Sequence, residues 1–545
     1  MLRKIIYPLL PQFILAIGFY YYTQNFPHIF DVTLFDESGY MHRGLAPGLL
    51  NFSNYEWAPL YSLFYRTVSL LVGDPVNVYM VGGLLVLFAA FLLGALSTQL
   101  LSGNPVLAVL LAGLPLFAGV FIIWPRPSFM VIAVLGLAIP LALRLRRTAD
   151  KAALLTVVAF LLTFVRPEYI SAFYLMLAIA AASFLWMLWS QGRVAPSGRR
   201  SLVALSAVPG LSFAVLAALA LAWSLPTPVG YGRAFMAFGQ HYALRYVADH
   251  GLPASSWQNW LPIMAREFPG ASTVGAAFRQ APGKVLHFYA ANLATMIADV
   301  WYTARRVIVH GALFFAVGVA ILIAGAVRQR RAVRPERGQG WMPGAARDGL
   351  AADLLLIAIL GLPPLLGCIL VYPRLHYLIM VEFVACLLLA RTLRALAPAG
   401  PAQHGRAPPF TPALAAGLAL LLVLSIQPLP PVPQPNVAII RSLRALPPVR
   451  RMAEDDGGWC YYLPARCTPY FLSGMTDVTE LRDLMARNSF DAVLISPSVR
   501  SYAVTHPDLA VDFLLAGASH PGWISYPLAP GYTIFYRQGA VAAGH

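Results

Sequence analysis

Residues 76–100 read VNVYMVGGLLVLFAAFLLGALSTQL, a run with no charged side chain. A helix of that length reaches across the roughly 30 Å hydrocarbon layer of a bilayer. Ten further apolar runs recur along the chain, at 5–22, 105–123, 127–143, 152–165, 168–190, 202–225, 306–327, 350–372, 374–397 and 410–428, so about eleven spans are expected. The chain as a whole agrees, since 59% of its 545 residues are hydrophobic and 11% charged, too few charges to clothe a soluble protein of this size. The expected fold is an α-helical polytopic membrane protein.

Charge sets the orientation. Met1-Leu-Arg-Lys4 precedes the first run, and no small-residue cleavage site follows it, so 5–22 is kept as a span. The net charge of +16 comes largely from short basic clusters between spans. These include Arg144 to Arg147 with Lys151, Arg193 with Arg199 and Arg200, the arginines of 328–337, and Arg391, Arg394 and Arg406. With the N-terminus inside, all of them face the cytoplasm, as the positive-inside rule requires. The bilayer accounts for the charge, and no nucleic-acid partner is expected. An odd number of spans puts the C-terminus outside, together with loops 23–75 and 226–305. Segment 328–349 reads as a cytoplasmic linker rich in Arg, Gly and Pro.

Two units follow: a transmembrane module, 1–428, and an extracytoplasmic region, 429–545. After the Pro-rich stretch 428–435 the composition becomes that of a small α/β domain. Asp477-Val-Thr-Glu480 opens a helix to about Ser489, and Phe490–Ser496 and Tyr532–Tyr536 read as strands. Cys460 and Cys467 lie in this region and can pair if it faces an oxidising compartment, whereas Cys368 and Cys386 fall within apolar runs. In the first outward loop, 57–72 is aromatic and amphipathic, suited to lie along the membrane surface. Loop 226–305 has helical stretches of similar character, with Trp257, Trp260, Arg266 and His287.

Signatures of soluble enzymes are missing. Gly230-Tyr-Gly232 lacks the third glycine of a dinucleotide loop, and there is no Walker lysine, Gly-x-Ser-x-Gly elbow or His-Glu-x-x-His helix. Asn51-Phe-Ser53 is a formal glycosylation sequon of little weight. What remains is a set of charged residues at span ends, where charge is costly and so a candidate for function. They are Asp36, Glu37, Arg126, Arg166, Glu168, Arg374 and His376. The arginines sit in proline-marked turns, Trp124-Pro-Arg-Pro-Ser128, Val165-Arg-Pro-Glu-Tyr169 and Tyr372-Pro-Arg-Leu-His-Tyr377, all expected on the side of the Asp36 loop. Taken singly, each has a plainer reading: an arginine that snorkels to lipid phosphate, a solvated acidic pair, an aromatic belt. Their gathering on one face favours a site.

Phe35-Asp-Glu-Ser-Gly-Tyr40, soon after the first span, resembles the Asp-Glu-x-x-Tyr pattern of the GT-C glycosyltransferases, which include protein mannosyltransferases and lipid A aminoarabinose transferases. Trp57-Ala-Pro-Leu-Tyr61 is similar to the stretch that introduces the family's juxtamembrane helix, although Trp57-Ala58 stands where a basic residue is often found. Arg166-Pro-Glu168 and Pro373-Arg-Leu-His-Tyr377 are also similar to family patterns, so the resemblance runs over most of the chain. It implies a sugar donor linked through phosphate to a polyprenol, and a lipid, glycan or protein acceptor outside the cytoplasm. In that reading Asp36 is the base for the acceptor hydroxyl, assisted by Glu37. Arg126, Arg166, Arg374 and His376 bind the departing lipid phosphate. Tyr40, Trp57, Glu168 and Tyr377 contact substrate. A single displacement inverts the anomeric centre. No cofactor is expected, although a divalent cation at Asp36 and Glu37 stays open. The Ala/Arg/Pro bias points to a bacterial inner membrane. A transporter or flippase, or a polymerase or ligase of lipid-linked glycans, is the alternative.

Overall fold

The computed structural model describes residues 2–118, 127–192, 199–226, 232–251, 260–332, 344–396, 410–454, 457–463, 467–471, 490–497 and 522–538. The chain is mostly helical, with a small sheet near its C-terminal end. Each of the eleven apolar runs overlaps a described helix. Among the described residues, four helical segments are long and apolar enough to cross a membrane: Pro75–Ser102, Pro167–Ser190, Pro282–Val327 and Gly349–Val371. Shorter apolar helices accompany them at Leu9–Tyr22, Pro105–Ala118, Pro127–Leu143, Ala207–Trp223 and Pro412–Ser425.

Local chemistry explains where these helices start and stop. In Pro75–Ser102 the Asp74 carboxylate accepts the Asn77 N–H at 3.0 Å, and Pro75 occupies the first turn, where its missing N–H costs nothing. Gly103 closes the helix at φ +66°, the left-handed turn that glycine enters without a Cβ clash. Helix Pro282–Ala332 is a single rod of 51 residues that begins well before its apolar run at 306. Leu286, Leu293, Ile297 and Val300 extend an apolar stripe back along the helix toward Pro282, and no proline interrupts it.

The helix ends sort by charge. Lys151 Nζ lies 2.5 Å from Asp353 Oδ1, and Arg391 Nη2 lies 2.8 Å from Asp353 Oδ2. This buried cluster ties helices Thr148–Thr163, Gly344–Leu366 and Leu375–Leu396 together at one end. Arg166 and Arg374 belong to the opposite ends of the first and last of these helices, so one end is braced by ion pairs and the other carries the candidate site.

Over that second end lie three further parts. Helices Asp36–Leu45 and Pro59–Ser69 cross closely, and a Cβ on Gly44 would come within 2.3 Å of the Ser62 carbonyl oxygen. Arg66 then caps the first of them, donating to Gly44 O and Ala46 O at 3.0 and 2.7 Å. Pro59–Ser69 is a helix within the amphipathic stretch 57–72. Helices Gly232–Asp249, Trp260–Glu267 and Val274–Gln280 build a small unit with its own core of Phe238, Tyr242, Met264, Phe268 and Phe288.

The C-terminal unit begins with helix Pro435–Arg444 and carries, among its described residues, five strands. They are β1 (Arg451–Glu454), β2 (Thr468–Phe471), β3 (Ala492–Ile495), β4 (Trp523–Ala529) and β5 (Tyr532–Arg537). The sheet order is β2-β1-β3-β5-β4, with β1 parallel to β2 and β3, and β5 antiparallel to β3 and β4. The two strands read from sequence are β3 and β5; the helix expected from Asp477 lies outside the described residues. Cys460 and Cys467 are joined in a disulfide, their Cα atoms 5.2 Å apart. Asp31 fastens this unit to the first loop by accepting the N–H groups of Asn436 and Val437 at 2.7 and 3.0 Å.

Candidate functional site

Asp36 opens its helix from a strained position. Phe35, just before it, has φ +64°, a conformation costly for an aromatic residue. The C-terminal unit holds that turn: the Phe35 N–H donates to Gly457 O at 3.0 Å, and the Ser38 hydroxyl lies 2.7 Å from Phe35 O and 3.1 Å from Gly457 O. Gly458 sits so close that a Cβ there would approach Ser38 Oγ to 2.6 Å. One strained residue and a strap from a remote part of the chain therefore aim the first acid of the Asp36-Glu37 pair.

The pair then divides. The Asp36 side chain is 45% exposed, and its Oδ2 accepts from Arg233 Nη2 at 2.9 Å. Glu37 is wholly buried and accepts the hydroxyls of Tyr61 and Tyr65 at 2.6 and 2.5 Å. Its carboxylate is thus committed to the helix Pro59–Ser69 below it. These two short hydrogen bonds lock the two crossing helices together.

Arg233 was not among the sequence candidates. It bridges two parts of the first loop, donating to Glu56 O at 2.6 Å and, on helix Asp36–Leu45, to Asp36 Oδ2 and to Tyr40 Oη at 3.3 Å. Its guanidinium also lies over the Trp57 ring, 4.5 Å from the centroid, and Arg43 lies 4.2 Å from the same ring. Tyr40 feels Arg233, Asp36 and Arg166, and burial pushes its hydroxyl pKa up, so it stays protonated.

A second group gathers around the proline turns. Arg166 is 9% exposed and follows Val165 at the end of its helix; Leu60 N–H donates to Phe164 O at 3.0 Å and joins this turn to Pro59–Ser69. Tyr377 links it to the late turn. The Tyr377 ring lies 4.8 Å from the Arg166 guanidinium, and its hydroxyl donates to Glu168 Oε1 at 2.6 Å. A Cβ on Gly367 would meet the Tyr377 ring at 2.9 Å, so glycine there lets the ring pack inward. Glu168 Oε2 lies 3.8 Å from Arg166 Nε, an ion pair beyond hydrogen-bonding reach. Among the described residues, Arg166 Nε and Nη2 have no hydrogen-bond partner.

Arg374 is close enough to Asp36, Arg166 and Tyr372 for their charges to act on it, and His376 likewise feels Arg166, Arg374 and His241. The two groups therefore share Asp36. His241, from the small helical unit, was also missed in the sequence. Its Nδ1 lies 2.6 Å from Ala237 O, which can only accept, so Nδ1 carries the proton. Burial and the Arg374 charge hold its pKa down at about 4, so the ring is neutral near pH 7.

Of the sequence candidates, Asp36, Tyr40, Trp57, Arg166, Glu168, Arg374, His376 and Tyr377 come together; Glu37 lies beneath them, and Arg126 is outside the described residues. Arg233 and His241 carried no proline mark, and both lie in a loop where arginine and histidine are unremarkable. Among the described residues no group of three or more His, Cys, Asp or Glu is placed to hold a metal ion. Compared with known proteins, the chain matches no family model and no curated protein.

Proposed function

We propose that this chain is a membrane glycosyltransferase that moves a sugar from a polyprenyl-phosphate donor to an extracytoplasmic acceptor hydroxyl. One observation carries the reading: a half-exposed carboxylate, Asp36, shares a cluster with a buried arginine, Arg166, whose Nε and Nη2 make no hydrogen bond among the described residues. A buried guanidinium with open donors is poised for an anion such as the departing lipid phosphate. A carboxylate at hand is what an attacking hydroxyl needs.

In this mechanism the acceptor oxygen attacks the anomeric carbon and gives its proton to Asp36 Oδ1, while Arg233 holds Oδ2. The bond from the anomeric carbon to phosphate oxygen breaks, and its electron pair leaves with the lipid phosphate. Arg166 and Arg374 take up that charge, with His376 beside them. Tyr377 and Glu168 orient Arg166, and Tyr40 and Trp57 line the approach to Asp36. Displacement in one step inverts the sugar carbon. The full arrangement includes about eleven spans, a cytoplasmic N-terminus, an outward C-terminal unit and a bacterial inner membrane.

Losing a group of this kind costs about 10²–10⁴ in rate. Asp36→Asn is therefore expected to remove nearly all transfer while the protein accumulates normally. Lipid-linked sugars and surface glycans compared between wild-type and variant cells check it. Wild-type glycans in the variant would defeat the assignment.

A further inference from the structure

The turn that carries Arg374 is built on an irregular end of the helix before it. Helix Gly344–Leu366 runs on into Gly367–Val371, a wider π-turn, and the Tyr372 N–H donates to Gly367 O, five residues back, at 3.1 Å. Tyr372 itself is extended, with φ −169° and ψ 140°, and ends the helix. Two carbonyls there lose their helical donors. Pro373 has no N–H for Ile369 O, four residues back, and the Arg374 N–H is spent on Tyr372 O at 2.9 Å. Val371 O has no further helical turn to take it up.

Asn292 serves both carbonyls. Its Nδ2 donates to Ile369 O at 3.0 Å and to Val371 O at 3.2 Å, and the residue is 2% exposed. The amide NH₂ has two hydrogens, one for each carbonyl, and a carbonyl can only accept, so the nitrogen must face the turn. Asn292 lies on helix Pro282–Ala332, one turn after Phe288 of the small helical unit's core. From the same unit, His241 stacks on Tyr372, ring centroids 5.4 Å apart. The unit that supplies Arg233 to Asp36 thus also holds the approach to Arg374.

We propose that Asn292 is a positioning residue: by holding the π-turn through Ile369 O and Val371 O, it places Arg374 and Tyr377 against Arg166, where the lipid phosphate binds. This rests on the glycosyltransferase reading above, which gives Arg374 the phosphate. A π-turn holds one residue more than an α-turn. Relaxing it to α would rotate the chain that follows by about 100° and draw it about 1.5 Å along the axis. A misplacement of about 1 Å is enough to cost about a hundredfold in rate.

The test uses the full chain in phosphatidylcholine nanodiscs, with farnesyl phosphate binding followed by calorimetry and amide hydrogen exchange by mass spectrometry. Asn292→Leu keeps a similar side-chain volume but removes both donors. It is expected to weaken farnesyl phosphate binding at least about tenfold and to raise exchange in 367–378, while helix Thr148–Thr163 exchanges at the wild-type rate. Asn292→Ser keeps one donor and should fall between wild type and Asn292→Leu, which supplies the test if the Leu variant does not fold. Because Asn292 acts through Arg374, adding Asn292→Leu to Arg374→Gln should cost no further affinity. An asparagine with a general structural role would raise exchange in all helices together, and its loss would add to that of Arg374→Gln; either result overturns the proposal. Wild-type affinity in Asn292→Leu, with Arg374→Gln weakened, also overturns it. If Arg374→Gln leaves farnesyl phosphate binding unchanged, the donor reading fails; exchange at 367–378 then decides whether Asn292 sets the turn, and a wild-type rate there overturns the proposal.

Discussion

Asp353→Asn is expected to be the most damaging conservative change away from the candidate site. Asp353 is 1% exposed and serves two cations, Lys151 at 2.5 Å and Arg391 at 2.8 Å. Asn has the same shape, so no cavity forms and the loss is electrostatic. The Asn carbonyl can keep one hydrogen bond but neither ion pair. Lys151 is 7% exposed and would be left beside Arg391 with little water to screen the two like charges. Removing one partner of a buried pair costs about 3–5 kcal/mol, a factor of hundreds to thousands in the folding equilibrium. The pair itself need not be worth that much, because desolvation offsets most of its attraction. Adding Lys151→Met to Asp353→Asn should therefore recover more than half of the loss, whereas Lys151→Met alone should be milder than Asp353→Asn. Detergent-solubilised protein, denatured stepwise and followed by tryptophan fluorescence, measures all three variants against wild type. A loss under about 0.5 kcal/mol for Asp353→Asn, the range of ordinary surface changes, would refute the view that this cluster braces the helix ends.

The buried His241 should make stability depend on pH. Its folded pKa of about 4 lies below the ordinary 6.5, so its contribution is complete above pH 6.5 and is lost as pH falls toward 4, by up to about 3 kcal/mol. His241→Gln should flatten denaturation curves across that window, and an unchanged slope would remove His241 as the cause. The Cys460–Cys467 link closes a short loop in the segment that holds Phe35 and Ser38. Replacing both cysteines with serine should cost about 2–3 kcal/mol and make 457–463 more open to proteolysis. Equal cleavage rates with and without the link would show that it does not stiffen the strap.

The division between sequence and structure is clear at particular residues. Apolar runs and basic clusters report directly on helices because lipid tolerates no unpaired backbone groups and a span must be long and uncharged. Asp36, Arg166 and Arg374 were legible for the same reason, since charge at the end of an apolar run stands out. The even-handed appearance of the Asp36-Glu37 pair in sequence was not a guide to their different settings. Only packing against Tyr61 and Tyr65 commits Glu37 to the interior, while Arg233, 197 residues from Asp36, holds the other acid in place. The strap is similar: nothing local to Gly457 and Gly458 says that they meet Phe35 and Ser38.

By itself, then, the sequence determined a helical membrane-type chain, a small C-terminal α/β unit and an acid with arginines as the candidate chemistry. Tertiary structure decided which acid is open, which arginine keeps donors without a hydrogen-bond partner among the described residues and how the last part of the chain braces the first. Hydropathy and charge are properties of each segment, readable in order along the chain. Pairing and burial are properties of segments brought together, and the chain order holds no record of the distance between them.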